Sequence, residues 1–577
     1  MPILRTCCLL VLTLCGLALT AACSDKPREV ADTVFLDAKV YTVNSAQPWA
    51  EAIAISGDTI VYVGDNDGAM DLIGDTTQQI NLDGKLLLPG FIDTHLHPLA
   101  GGEFARALSL QTNGTIEGWV LAIDEFAKAN PDARVIFGYG FLATTFGPEG
   151  PTRQLIDTIV PDRPVLIIDE GFHGAWANTA ALEALNITQD TADPVPGYSY
   201  YKRDENGDAT GYLLEETAFT AMDALDVIND EVIIEGTGLV IEIMNSYGVT
   251  AAFDAGNGYE AERTLGILSR IQQNGDLKLR LVGSVRARPD QSPQEIVDEA
   301  VHWRDTVRGD GFHYNTLKIP DDGTVEGRTA AMFEDYQGEP GNSGSTVFTE
   351  QQLIEMISGA ARRNIDVHIH ALGERAIHET LNAIEATRAA FPETDSRFTI
   401  CHLQVITDQD LARFGELDVI AQSTPLWASY DVYGKQFVSD DQFNRYWRFK
   451  SLEDTGARLT FGSDFPASGA GSLGLSPLVQ IEIGHTRQEP GSPDQDIQPR
   501  ESERLSVASL VRGFTLDAAY QLRMESDIGS IEVGKKADLV VLDQNIFEVD
   551  AYSIHKTNVV TTMLGGQIVY TKSPKGL

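Results

Sequence analysis

Two histidines one residue apart, His95 and His97, close an apolar run that begins at Leu86. Side chains on a β-strand alternate faces, so these two imidazoles project together. A side-by-side pair on a rigid strand is half of a divalent-metal site. Alone, it is equally a pair of packed histidines. Further apolar runs end on residues that could complete the set. They carry Lys318 in Asn315 to Pro320, His368 and His370 from Val367 onward, His402 after Cys401, and Asp464 after Leu459 to Ser463. A polar group at the end of an apolar strand is costly near a core unless something pairs it, and a shared metal would pair them all. Lys318 is the odd member, because an ammonium repels a cation. Carboxylation of its amine by CO₂ would give an anionic carbamate able to bridge two ions. The competing reading of Lys318 is an ion pair with Asp321 or Asp322.

These residues need a scaffold that brings distant segments to one end. Eight apolar runs supply it, near residues 90–97, 249–255, 278–286, 314–320, 365–370, 398–403, 417–423 and 457–464. Helix-forming amphipathic stretches such as Gln351 to Arg363 and Ala376 to Ala390 separate most of them. Strand–helix repeats of this number predict an α/β fold, a (β/α)₈ TIM barrel whose chemistry sits at the C-terminal strand ends. The barrel is expected over 89–516, with an insertion over 100–248 after the first strand. The insertion has strands of its own at Arg134 to Gly140 and Pro164 to Ile168. It also has a hairpin from Tyr198 to Leu214 that turns at Glu205 to Asp208. Short β segments in 33–88 and 517–577 are expected to pair into one small β-sandwich built from both chain ends.

The 577 residues carry a formal net charge of −41, which argues against a basic nucleic-acid footprint. Arg5, the apolar run Cys8 to Leu19 and the small residues Thr20 to Ala22 have the shape of a signal peptide over 1–22. The Ala-Ala-Cys ending resembles a bacterial lipoprotein signal, with Cys23 as the lipidated first residue; ordinary cleavage is the alternative. The expected location is then the periplasm or cell envelope, with membrane contact only through that lipid. Four of the five cysteines lie in residues 1–23. Cys401 is left alone in the folded body and is read as a buried structural cysteine whose neighbour His402 points to the other face.

Several landmarks occur in order: Pro89 to His97, His173 to Asn178 with Ala180 to Leu182, and Gly207 to Gly211 leading to Glu215. Lys318 with Asp322 and Gly323, His368 to Ala376, Cys401 to Gln404, Gly462 to Pro466 and Ile528 to Asp538 follow. This series resembles the amidohydrolase superfamily, and within it amidohydrolase family 3, the YtcJ-like and N-substituted formamide deformylase-like group. The resemblance implies metal ligands at His95, His97, Lys318, His370, His402 and Asp464, with His370 favoured over His368. It implies that Lys318 is carboxylated and that Asp464 is the catalytic base. It implies one or two divalent ions, Zn²⁺ by preference, and a hydroxide made at neutral pH by lowering the pKa of bound water. The implied reaction is hydrolysis of a non-peptide C–N bond in a small amide or formamide. A cyclic amide, an N-acyl amino acid, an ester or a deaminated heterocycle on the same machinery is the nearer alternative. An exported binding protein without chemistry is the farther one. His173 and Trp176, expected to open a helix, face the pocket by resemblance, with interdomain packing as the alternative. Glu215 is a substrate contact or a solvated acid at a helix start, and Trp427 lines the pocket or simply packs. Two departures stand out: Glu374 where relatives carry Asp, and Pro320-Asp321 after the lysine. A homodimer is compatible with the sequence but not specified by it.

Overall fold

In the computed structural model, residues 30–572 are described except 111–113, 148, 170–172, 195–198, 431 and 468–469. The expected signal segment and Cys23 lie outside these residues. Parallel strands form at all eight anticipated places. They are β1 (Phe91–Leu96), β2 (Val249–Asp254), β3 (Arg280–Arg286), β4 (Phe312–Pro320), β5 (Asp366–Ala371), β6 (Phe398–His402), β7 (Val419–Ser423) and β8 (Leu459–Phe461). They hydrogen-bond in sequence order from β1 to β8. Every residue of β1, β2, β6 and β7 is buried, as expected of strands covered on both faces. The ring closes where the Asp464 N–H donates to the His95 carbonyl at 2.7 Å. Gly462 permits that approach: a Cβ there would stand 2.4 Å from the His95 nitrogen.

Register sets the depth of each candidate side chain. Lys318 on β4 lies opposite His368 on β5, and Pro320 lies opposite His370. On the other edge of β5, His370 pairs with Cys401 and Ala371 with His402. Outside the strands, helices present one apolar face inward. In the helix Glu350–Arg362, Leu353, Met356, Ile357, Ala360 and Ala361 are buried, the spacing of a helical stripe. Its start is fixed by a capping box between Thr349 and Gln352.

Both chain ends share a sheet: Leu86–Pro89 runs antiparallel to Leu539–Leu542. It faces a four-stranded sheet of N-terminal strands, with Phe35, Ile53 and Ile55 packed on Leu87, Leu539 and Val541 between them. Arg280 of β3 donates to Asp538 at 2.6 and 2.9 Å, tying this layer to the barrel. The expected boundary at 517 cuts through the helix Leu516–Gln521. That helix belongs with the barrel, because Ala518, Ala519 and Leu522 pack on Ile92, Ala251 and Val282. Gln521 also donates to the Thr94 carbonyl at 3.0 Å.

The insertion carries a six-stranded sheet of its own. The expected strands appear as Ile136–Phe141 and Val165–Asp169, and the hairpin as Tyr201–Arg203 with Ala209–Leu214. His173 and Trp176 do not open a helix. Gly174–Ala177 is a strand between two antiparallel neighbours, and the helix begins at Thr179. The reason is local: Asn178, two residues after Trp176, accepts from the Ala181 N–H and is the N-cap. Among the described residues, no helix is long and apolar enough to cross a membrane.

Candidate metal centre

The side chains from β1, β4, β5, β6 and the end of β8 meet. Nε2 of His95 and Nε2 of His97 each stand 3.4 Å from Oδ1 of Asp464. Nζ of Lys318 is 3.2 Å from His95 Nε2. The rings of His95 and His402 are 4.6 Å apart, and those of His402 and His370 are 4.5 Å apart. All six residues that the sequence nominates as ligands are therefore in one cluster. His97 Nδ1 lies 2.7 Å from the Gly256 carbonyl. A carbonyl only accepts, so Nδ1 carries the proton and Nε2 offers its lone pair on the side of Asp464.

The donor set suits a divalent ion. Burial pushes the pKa of His95 and of His402 well below the usual imidazole value, and that of His370 down to about 3; the charge of nearby Lys318 adds to this. Neutral imidazole is the form that binds metal. Among the described residues, the buried His370 Nε2 and His402 Nδ1 have no hydrogen-bond partner, and a buried polar atom without one is costly. Lys318 is 5 % exposed. Among the described residues it forms no ion pair with Asp321 or Asp322, and its amine faces His95 and Cys401 instead. Asp322 is occupied by the backbone N–H groups of Ala331, Leu372 and Gly373 at 2.9–3.0 Å.

His368 and His370 sit at different depths. His368 Nε2 is 2.9 Å from His95 Nδ1, and its ring lies 4.8 Å from Phe253. His370 is at the strand end beside His402, with Nε2 3.7 Å from Asp322 Oδ1. Cys401 and His402 do not point to opposite faces. His402 (φ 76°) and Leu403 (φ 57°) are left-handed, which breaks the strand's alternation and turns both side chains toward the site. Cys401 Sγ is 3.7 Å from Lys318 Nζ, and burial pushes its thiol up to about 12. Asp464 is also left-handed, at φ 52°. Strained non-glycine residues held in place by their surroundings cluster at functional sites.

Asp93 is a residue that sequence reasoning passed over. Its Oδ1 accepts from the backbone N–H of His95 at 3.1 Å and of Ser463 at 3.0 Å, locking the two strand ends together. The signal was present: an acid inside the apolar run Phe91 to Leu96. Glu374, the departure from the family pattern, is not at the metal cluster. It is buried and paired with Arg445 at 2.6 Å.

The nominated substrate contacts divide. Trp427 follows β7 and lies 5.8 Å, ring to ring, from His402, with Trp447 6.1 Å beyond it. His173 is exposed, and its Nδ1 is 3.0 Å from Glu215 Oε2. Glu215 starts the helix Glu216–Ala224 with φ 55°. Trp176 is not a pocket residue. It is fully buried in the insertion's core against Phe141 and Phe146, and its Nε1 donates to the Thr152 carbonyl at 2.9 Å.

With this geometry in hand, known proteins give a consistent comparison. The family model described as "Amidohydrolase family" matches residues 78–570. The exoenzymes regulatory protein AepA of Pectobacterium carotovorum subsp. carotovorum is 30% identical over 408 residues, 69% of this chain and 86% of that protein. The N-substituted formamide deformylase of Arthrobacter pascens is 22% identical across 94% of this chain and 99% of its own. An uncharacterized metal-dependent hydrolase from Pyrococcus furiosus has the same fold, with a TM-score of 0.70 and 24% identity over 89% of this chain and all (100%) of that one.

Proposed function

The chain belongs to the amidohydrolase family and is a hydrolase of carbon–nitrogen bonds other than peptide bonds; from that premise, we propose that it cleaves a small amide or formamide at a divalent-metal centre. One observation carries the reading: His95 Nε2 and His97 Nε2 converge on Asp464 Oδ1 at 3.4 Å, beside two buried histidine nitrogens that have no hydrogen-bond partner among the described residues. His95, His97, His370 and His402 would hold the metal, Zn²⁺ by preference for imidazole donors. Lys318, buried and without an acidic partner among the described residues, suits carboxylation, which would make it a bridging anion. When bound, the ion supplies a Lewis acid for the carbonyl and lowers the pKa of water.

The chain's own residues do the rest. Asp464 takes the proton of the attacking water and returns it to the leaving nitrogen. Its left-handed backbone, fixed by the bond from its N–H to the His95 carbonyl, holds the carboxylate against His95 and His97. His97 is kept in one tautomer by Gly256. Trp427 gives the site an apolar wall beside His402. His173 and Glu215 are assigned to substrate contact from the insertion, which the strained backbone at Glu215 supports. Export, with lipid on Cys23, is part of the same proposal and rests on the N-terminal sequence. The full-length protein, loaded with Zn²⁺ and screened against formamides, N-acyl amino acids and lactams, should turn over the open-chain amides fastest. Turnover confined to esters or to ring deamination would overturn the substrate class.

A further inference from the structure

Below the strand-end ligands lies a second group of donors. His95 on β1, His368 on β5 and Cys401 on β6 each offer one ligand atom, and these atoms lie within 4.8 Å of one another. All three residues are buried, at 1%, 1% and 0% exposure. We propose that Cys401 is a metal ligand, forming with His95 and His368 an inner, soft-sided position of the centre that takes Zn²⁺ or Co²⁺ and rejects Mg²⁺ and Ca²⁺. This rests on the metal-dependent reading above and adds a thiolate to it.

Spacing supports the assignment. In a tetrahedral zinc site with Zn–N of about 2.0–2.1 Å and Zn–S of about 2.3 Å, neighbouring donors stand roughly 3.3–3.6 Å apart. His95 Nδ1 and His368 Nε2 are 2.9 Å apart, so a small ring rotation admits an ion between them. His95 has a nitrogen for each position: Nδ1 faces His368, and Nε2 faces Lys318 and Asp464. The left-handed turn at His402 and Leu403 lets β6 deliver donors at two depths, Cys401 below and His402 above. The Phe253 ring lies 4.8 Å from that of His368, and both side chains are buried. A thiolate with imidazoles selects borderline-soft ions over hard ones. Uptake releases the thiol proton to solvent and, when both nitrogens of His95 are engaged, its ring proton too, as the S–metal and N–metal bonds form.

Cobalt tests this. Metal-depleted full-length protein is titrated with Co²⁺ and read by absorption. The expected result is a near-ultraviolet sulfur-to-cobalt charge-transfer band that is lost in Cys401→Ser, with Co²⁺ affinity falling at least about tenfold, as for changes at metal-site partners. A full-length variant carrying Cys7→Ser, Cys8→Ser, Cys15→Ser and Cys23→Ser has Cys401 as its sole thiol and must keep the band, which preserves the test if Cys401→Ser fails to fold. Bound Co²⁺ without the band would overturn the thiolate ligand and leave the metal-dependent reading standing; Cys401 would then only accept a hydrogen bond from Lys318. Failure to bind Co²⁺ at all would overturn both.

Discussion

The barrel's strand ends and the sheet of the insertion each hold residues nominated from the sequence, yet they treat them differently. At the strand ends, residues from segments more than three hundred positions apart meet at hydrogen-bond range: His95 and Asp464 are 3.4 Å apart. In the insertion, His173 and Trp176 are only three positions apart, but one is exposed and the other is sealed in a core. The difference lies in what fixes each side chain. A barrel strand has eight-fold context, so a polar residue at its C-terminal end has a defined destination. A strand in a small added sheet has none, and the apolar character of Trp176 decides its place.

This contrast can be sharpened by mutation. The largest effect is expected at the barrel. His95→Ala or His402→Ala should reduce turnover to background while the circular dichroism spectrum stays native. Appreciable turnover in either variant would remove that histidine from the centre. Lys318→Ala should also inactivate, but short carboxylic acids should restore part of the activity by standing in for the carbamate. Full activity without any additive would disprove the bridging role. Asp464→Asn keeps the side chain's shape but cannot take a proton, so turnover should fall by roughly 10²–10⁴ with metal content little changed. In the insertion the same kind of change should act on stability. Trp176→Ala should destabilise by about 3–5 kcal/mol, the range for deleting a buried large aromatic, with KM unaltered at temperatures where the protein is folded. A KM effect without loss of stability would return Trp176 to the pocket. The smallest effect is assigned to His173→Ala, a several-fold rise in KM with kcat and melting temperature unmoved.

Legibility followed the same line. The strands are readable because each is a short apolar run between helical stretches, and the ligands because five of the runs carry His, Lys or Asp at or near their ends. The side-chain directions of Cys401 and His402 were not readable. Period-two alternation assigns them to opposite faces, and nothing in Cys401-His402-Leu403-Gln404 announces two consecutive left-handed residues. Asp93 was visible as an acid in an apolar run, but its role depends on Ser463, 370 positions away. The Glu374–Arg445 pair is hidden for the same reason, a partner 71 positions distant. The helix Leu516–Gln521 straddles the expected boundary at 517: Ala518 and Ala519 read as weakly apolar in sequence, although they fill the space against β1 and β2.

We propose that the strand-end residues form one divalent-metal centre. Elemental analysis of the folded full-length protein, run side by side with His97→Ala and His402→Ala, tests it most directly. Stoichiometric divalent metal is expected in the wild type, with a marked loss in both variants at unchanged melting cooperativity. Active wild-type protein free of metal, or variants that keep their full metal content, would contradict it.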